Sequence, residues 1–263
     1  MPKAVATRSQ NGVGFMYRFG RLAAVAGAAA IVGATPGLAA ASPAAPGAPG
    51  IPGITLVSPI ASGYAAVPKP GGAQDFIHVQ ATFTVPGVTC SAQNGTAQTR
   101  AGLDGISDNT AEQVGVNEVC LNAVPFYTAF YRMYPASLVP TFSPAAGDLV
   151  KASVTTDAGV YTLSVHDLTS GKSFTVTKAC ATCLNSSAEV TAGSPSGIPP
   201  ADFTVVHFTD IVVIDGGGVS GGLANAAWNT DKLTQPGSPH TVAGPLHTFS
   251  SPAHSTFADT WAP

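Results

Sequence analysis

The chain has 263 residues, of which 45% are hydrophobic and only 10% are charged. Four of its 11 Lys and Arg residues lie within the first 21 positions, whereas all 14 Asp and Glu residues follow position 70, so most of the chain is acidic. This balance excludes nucleic-acid binding, which depends on Lys and Arg contacts to phosphates. Because few structural carboxylates exist to be protonated, we also expect a fold that tolerates low pH.

The N-terminal segment is typical of a targeting signal. Basic residues precede the apolar run Leu22–Ala34, and small residues follow at Leu38–Ala41, which predicts a signal peptide over residues 1–41. Residues 42–53 are a Pro/Ala/Gly linker, and residues 54–263 are expected to form one domain. No later segment approaches the ~20 apolar residues that a spanning helix needs. We therefore expect a secreted, extracellular monomer with no membrane span once the signal is removed.

Short apolar/polar alternations separated by Gly and Pro turns predict strands throughout this domain. No helical period persists, so we predict an all-β fold, an antiparallel β-sandwich of two packed sheets that resembles a jelly roll. Residues 223–228 fit either a helical turn or a strand, and Trp261 is expected to be buried. The predicted strands are Phe76–Val85, Val124–Tyr134, Leu149–Thr156, Val160–His166, Ser173–Thr177 and Phe203–Ile214, followed by a closing strand system over Val242–Trp261.

Four cysteines in an exported chain indicate disulfides. Three pairings are possible, and we favour Cys90 with Cys120 and Cys180 with Cys183 because each pair brackets a local unit. The CxxC motif could instead serve redox chemistry or half of a zinc site, but a single motif without a second pair or a His cluster is weak evidence. We predict no metal and no cofactor.

The stretch Ala101–Cys120 concentrates polar groups in a chain that is poor in charge. It predicts a strand, a turn at residues 107–109 and a returning strand, on which Gln113 shares a face with Gly115 and Asn117 while Glu112 points the opposite way. A side chain beside a glycine has free space next to it, which suits a cleft.

Two other motifs carry little weight. Residues 218–222 match GxSxG, but they lie in a glycine run and not at a strand-to-helix turn, so a loop is favoured over a nucleophile elbow. The histidines show no metal-ligand spacing backed by a carboxylate. They stand at positions 78, 166, 207, 240, 247 and 254.

Eight short motifs follow one another along the chain. They are SGYA at 62–65, ATFTVP at 81–86, GLDG at 102–105, EQVGV at 112–116, FYTAFYRMYP at 126–135, GDLVKASV at 147–154, SSAEV at 186–190 and ADFTVVHF at 201–208. Together and in this order they resemble the secreted glutamic peptidase (eqolisin) family. The resemblance implies a sandwich whose concave face binds an extended peptide or protein substrate, and an acid-active endopeptidase centre made of one Gln and one Glu. In such a pair the carboxylate takes a proton from the attacking water and the amide stabilises the oxyanion.

The family's glutamine falls on Gln113, and its glutamate falls on Gly193, so the proton acceptor is missing there. Glu189 is a weak substitute because it lies four residues, or ~13 Å, from that position along the strand. Asp104 is a further candidate base. Other cleft positions also depart from the family: its two tryptophans fall on Ala61 and Arg100, an acidic residue on Arg132 and an Asp on Asn117. The resemblance assigns substrate binding to Asp104, Asn117, Tyr131 and Arg132.

Two functional classes therefore remain open. One is a glutamic-type acid endopeptidase, and the other is a non-catalytic relative, a possible pseudoenzyme, that binds peptide or glycan on the same face. The aromatic strand 126–134 would suit a glycan. We expect little or no cleavage of denatured proteins between roughly pH 2 and 5.

Overall fold

The computed structural model describes residues 52–90, 94–106, 108–194, 201–236, 240–248 and 255–262. The predicted signal peptide, most of the predicted linker and His254 lie outside these residues. The described part contains 19 strands, numbered β1 to β19 in chain order, and no helix, so it has no helix that could cross a membrane.

The first of the two large sheets has eight strands within the described residues. Its pairs are antiparallel, except that β1 runs parallel to β16. In spatial order the strands are β1 (Pro52–Val57), β16 (Asn229–Thr234), β2 (Ser62–Val67), β12 (Ala188–Gly193), β5 (Gly95–Leu103), β6 (Ala111–Leu121), β7 (Val124–Tyr134) and β8 (Val139–Pro140).

The second sheet has nine described strands, all paired antiparallel. The order is β11 (Ser173–Ala179), β10 (Val160–Asp167), β9 (Leu149–Asp157), β3 (Phe76–Thr84), β14 (Val205–Asp215), β19 (Ser255–Ala262) and β17 (His240–Ala243). Two short strands join it: β15 (Ser220–Gly221) pairs with β14, and β18 (His247–Thr248) pairs with β19. A separate ribbon pairs β4 (Val88–Thr89) with β13 (Asp202–Phe203). The all-β sandwich is thus confirmed.

Two tight turns explain why neighbouring strands pair as hairpins. Asn122 and Ala123 both have positive φ and connect β6 to β7, and Ala158 and Gly159 do the same between β9 and β10. Two consecutive left-handed residues match the right-handed twist of the flanking strands. The three strands predicted at 149–156, 160–166 and 173–177 are present as β9, β10 and β11, and they pair in that order as a meander.

The core lies between the two large sheets and is filled by alternate residues of each strand. An aromatic group of Phe83, Phe208 and Phe257 joins β3, β14 and β19, with ring centroids 5.8 Å and 4.7 Å apart. Each such pair contributes about 0.5–1.5 kcal/mol beyond its buried area. On the first sheet the core-facing residues of β6 include Val114 and Val116, as the alternation predicts.

Some predicted boundaries differ from the structure. Strand β1 begins at Pro52, inside the predicted linker, because its backbone pairs with β16. The predicted strand 203–214 is divided after Phe203, whose partner is β4 and not the second sheet. Residues 223–228 form turns, neither helix nor strand, and Trp261 is only half-buried although it packs against the core.

The structure contains both favoured disulfides. Cys90–Cys120 ties the residue after β4 to β6, and Cys180–Cys183 closes the connection between β11 and β12. The second disulfide therefore stands five residues before the strand that carries Glu189.

Candidate functional site

One face of the first sheet points away from the core, and the strand register aligns its side chains in rows. Glu189 on β12 is paired with Gly102 on β5, Gly102 with Gln113 on β6, and Gln113 with Arg132 on β7. We call these four residues the central rung. Paired residues in a sheet share a face, so the carboxyl, the amide and the guanidinium all stand on the outer side.

A cavity of about 330 Å³ opens over this rung. It brings together residues that are far apart in the sequence, including the predicted Gln113, Glu189 and Arg132 and the departure Arg100. The lining residues are Ser58, Ile60, Ala61, Gln98, Arg100, Gly105, Asp108, Asn109, Thr110, Ala111, Gln113, Arg132, Tyr134, Glu189 and Leu233. A cleft is therefore present beside Gln113, but not for the predicted reason: Gly115 does not line it, and a Cβ at Gly115 would lie 2.0 Å from the carbonyl oxygen of Thr99.

The amide of Gln113 has a defined orientation. Arg132 Nη2 donates a hydrogen bond of 2.6 Å to Gln113 Oε1, and because a guanidinium has no acceptor, the carbonyl end of the amide must face Arg132. The Nε2 of Gln113 is then left to donate elsewhere. The side chain also leans over its neighbour: its Cγ lies 2.9 Å from the point where a Cβ on Gly102 would stand.

Glu189 is only 6% exposed. Burial raises its pKa to about 8, although the positive charge of Arg100 and a hydrogen bond from Ser187 both act in the opposite direction. Ser187 Oγ donates that bond to Oε1 over 3.1 Å. A carboxyl group of this kind keeps its proton at neutral pH and can both give and take one.

Arg100 reaches the cavity from β5 and is 3% exposed. Its Nη1 donates to Gln98 Oε1 at 2.9 Å, and Gln98 Nε2 in turn donates to Asn117 Oδ1 at 3.1 Å. Burial and the nearby charge of Arg132 lower the pKa of Arg100 to about 10. Asn117 thus faces the same side as Gln113, as predicted, but serves a hydrogen-bond chain with Gln98 and Arg100.

The position that the resemblance gives to the glutamate has no space for a side chain. Gly193 pairs with Gln98 and lies four residues along β12 from Glu189 of the central rung. A Cβ on Gly193 would lie 2.1 Å from the carbonyl oxygen of Ile60 and 2.6 Å from Cα of Ala61. The distance of Glu189 from this position is therefore not decisive, because Glu189 itself shares the rung of Gln113.

Like Asn117, two other residues assigned to substrate binding do not line the cavity. Tyr131 points toward the second sheet, where its ring centroid is 6.0 Å from that of Phe174, because residues adjacent to Arg132 in a strand must face the other way. Asp104 is fully buried and does not line the cavity. Its carboxylate accepts hydrogen bonds from the backbone of Leu184 and Ser186, so it fixes the approach to β12.

Glu112 occupies the opposite face from Gln113, as predicted. It is fully buried, and burial together with the charge of Asp104 raises its pKa to about 9. Its Oε1 lies 2.8 Å from the sulfur of Cys183. Glu112, Cys180 and Cys183 stand close enough to suggest a cation site, but sulfurs joined in a disulfide are not thiolates and do not ligate a metal.

Sequence reasoning missed Gln98, and it noted Arg100 only as a departure from the family. The available signal was long polar side chains at alternate positions, 98 and 100, of a strand in which every other residue except Leu103 is small. Period-2 polarity beside the Gln113 strand could have placed both in the cleft.

Comparison with known proteins agrees with this architecture. A family model described as the peptidase A4 family matches residues 61–243. Direct comparison with curated proteins gives no match. Scytalido-glutamic peptidase, solved with a transition state analog inhibitor, is 19% identical, with a TM-score of 0.60 and 77% of this chain and 98% of that chain covered.

Two further structures are similar. SCP-B, described as an eqolisin family member in complex with the tripeptide Ala-Ile-His, is 19% identical with a TM-score of 0.56, over 77% of this chain and 100% of its own. Aspergilloglutamic peptidase from Aspergillus niger is 23% identical with a TM-score of 0.52, over 64% and 99%. At these identities the structures show the shared fold, while the family match covers well over half of the sequence. The chain belongs to the peptidase A4 (eqolisin) family.

Proposed function

We propose that the protein is an endopeptidase of the glutamic type in which Gln113 binds the substrate carbonyl and Glu189 is the general base. The central rung carries this proposal: the two side chains stand on either side of Gly102 and line the same cavity. Their Cα atoms are two strand spacings apart, roughly 10 Å. Gly102 has no side chain, so the side chain of Gln113 can lean over it, with its Cγ 2.9 Å from the point where a Cβ would stand.

Each group has a chemical role that its surroundings support. The Glu189 carboxylate takes a proton from the attacking water and later gives it to the leaving amine. Gln113 Nε2 donates to the oxygen on which negative charge develops, and Arg132 holds the amide in that orientation through Oε1. Asp104 is not available as the base, because its carboxylate binds the backbone before β12.

The pKa of Glu189 sets the working range. A general base must be ionised, and burial raises the pKa of this group to about 8. Below that value the rate should fall about tenfold for each pH unit. We therefore expect cleavage to be strongest near neutral to mildly alkaline pH, and the acid range of roughly pH 2–5 to show little or none.

The test measures cleavage of a denatured protein and of internally quenched peptides from pH 3 to 9. Glu189→Gln and Gln113→Ala should each lower kcat/KM by at least about a hundredfold, the scale of a lost base or oxyanion donor. Glu118→Gln is the matched control, because Glu118 is also a fully buried glutamate with its pKa raised to about 8, but it lies on the opposite face of β6.

Two results would contradict the proposal. One is cleavage that persists in Glu189→Gln at every pH. The other is an absence of cleavage in the unaltered protein across the whole range, which would leave peptide or glycan binding without catalysis as the function of this face.

The ligand and location follow from the same proposal. SCP-B was solved with the tripeptide Ala-Ile-His and scytalido-glutamic peptidase with a transition state analog inhibitor, which supports a peptide as the substrate. The two disulfides support a secreted protein. Recovery of the protein from the culture medium with both disulfides formed, and its elution as a monomer in size-exclusion chromatography, would test these points.

A further inference from the structure

The cleft contains two guanidinium groups that approach each other over β6. Arg100 comes from β5 and Arg132 from β7, on either side of the strand that carries Gln113. Arg100 is paired with Gly115, which offers no side chain between them. The charge of Arg132 is one of the causes that lower the pKa of Arg100, so the two cations are close enough to repel.

Among the described residues, neither guanidinium donates a hydrogen bond to a carboxylate. The hydrogen bonds found for them run to side-chain amides, from Arg100 to Gln98 and from Arg132 to Gln113. The Nε of each is buried and has no acceptor among the described residues. A buried guanidinium donor without an acceptor is costly, and its strongest partners are planar carboxylates bound side by side.

The carboxyl groups that line the cavity are hydrogen-bonded to other partners. Asp108 stands at the rim, where its oxygens accept hydrogen bonds from the backbone of Gly105 and Thr110 and from the hydroxyl of Ser186. The hydrogen bond found for the carboxyl of Glu189 comes from Ser187 and not from a guanidinium. Both guanidiniums therefore keep a donor that no carboxyl group of the cleft accepts from.

We propose that Arg100 and Arg132 form an anion subsite that selects peptides with a carboxylate next to the position facing Gln113. The proposal rests on the proposed function only in taking a peptide as the ligand. The carboxylate has two sources, an Asp or Glu side chain within the peptide or the α-carboxylate at its C-terminus. Both present the same planar pair of oxygens to the two guanidiniums.

Binding is measured by calorimetry on the Glu189→Gln protein, so that cleavage does not consume the ligand. Two peptide pairs separate the sources: a peptide blocked at both ends with Glu or Gln at its centre, and a peptide with a free or an amidated C-terminus. We expect the carboxylate member of at least one pair to bind about tenfold tighter or more, as a charge-assisted pair does.

Arg100→Gln and Arg132→Gln should each remove most of that difference, so that the carboxylate and the neutral member of a pair bind within about twofold of each other. Lys172→Gln is the matched control: it removes the same charge from an exposed turn of the second sheet and should preserve the preference. If Arg100→Gln loses its native circular dichroism because the residue is buried, the half-exposed Arg132 carries the test.

Equal affinities within both peptide pairs would overturn the proposal. A preference that survives in Arg132→Gln, or that Lys172→Gln removes equally, would overturn it as well. The proposed function is tested separately, by cleavage. If the unaltered protein cleaves nothing but the carboxylate preference is intact, the anion subsite is supported and the peptidase is rejected. If the protein cleaves peptides without any carboxylate preference, the peptidase is supported and the anion subsite is rejected.

Discussion

Replacing Gly193 tests where the acidic group of the site stands. An added Cβ would lie 2.1 Å from the carbonyl oxygen of Ile60 and 2.6 Å from Cα of Ala61. Both contacts are with backbone, so the chain before β2 would have to move rather than a side chain rotate. Overpacking of a buried site costs roughly 1–3 kcal/mol, and we expect Gly193→Ala to fall at the upper end, about 3 kcal/mol.

Urea unfolding followed by fluorescence measures this loss, and thermal unfolding should show a decrease of roughly 6–12 °C for a domain of this size. Gly87→Ala is the matched control, because a Cβ at Gly87 meets nothing within 4 Å. That substitution should change the free energy of unfolding by less than about 0.5 kcal/mol.

Gly193→Glu extends the test to function. It should be at least as destabilising as Gly193→Ala, since it also buries a carboxyl group, and it should create no cleavage at acid pH. A Gly193→Glu protein of unaltered stability that gains cleavage near pH 3–4 would refute this reasoning, because the side chain at 193 would then have room and the role assigned to Glu189 would be unnecessary.

Three further predictions concern stability. Burial raises the pKa of Glu118 from 4.5 to about 8, so the unfolded chain loses its proton at lower pH than the folded protein does. Stability should therefore fall as pH rises from about 4.5 to 8, and denaturation at several pH values should show a shallower fall for Glu118→Gln. Asp104→Asn keeps a residue that accepts the positive φ but weakens its backbone hydrogen bonds, so unfolding experiments should show a loss of about 1–3 kcal/mol. Cys90→Ser should cost about 2 kcal/mol more than Cys180→Ser, measured without reductant, because the two disulfides span 30 and 3 residues.

Local sequence patterns predicted where the strands lie but not which strands pair with each other in the sheets. Alternation placed Gln113 and Glu112 on opposite faces of β6 and located the strands on either side of the 158–159 turn, because both depend on residues close in the sequence. The pairing of Glu189 with Gly102 depends on a strand 87 positions away, which no local period reveals.

The site was therefore only partly predictable. In the sequence, Glu189 lies four residues from Gly193, which suggests a position too far from the site to act in it. The sheet nevertheless aligns Glu189 with Gln113 across Gly102 of β5. The resemblance assigned Tyr131 to the cleft, and composition could not correct this, because aromatic residues occupy both faces of β7. Asp104 has the polarity of a site residue, but its left-handed backbone and its hydrogen bonds to the chain before β12 are tertiary features.

The glycine of the central rung has a consequence for how such a site changes over time. The spacing between Glu189 and Gln113 is set by the hydrogen-bonded backbone of three strands, whereas the surrounding side chains only line the space. A substitution at a lining residue such as Arg100 therefore changes the charge and volume of the cavity without changing the spacing of these two backbones. Under the proposed function, such substitutions alter which peptides bind while Glu189 and Gln113 keep their spacing, as long as position 102 carries no side chain to displace Gln113.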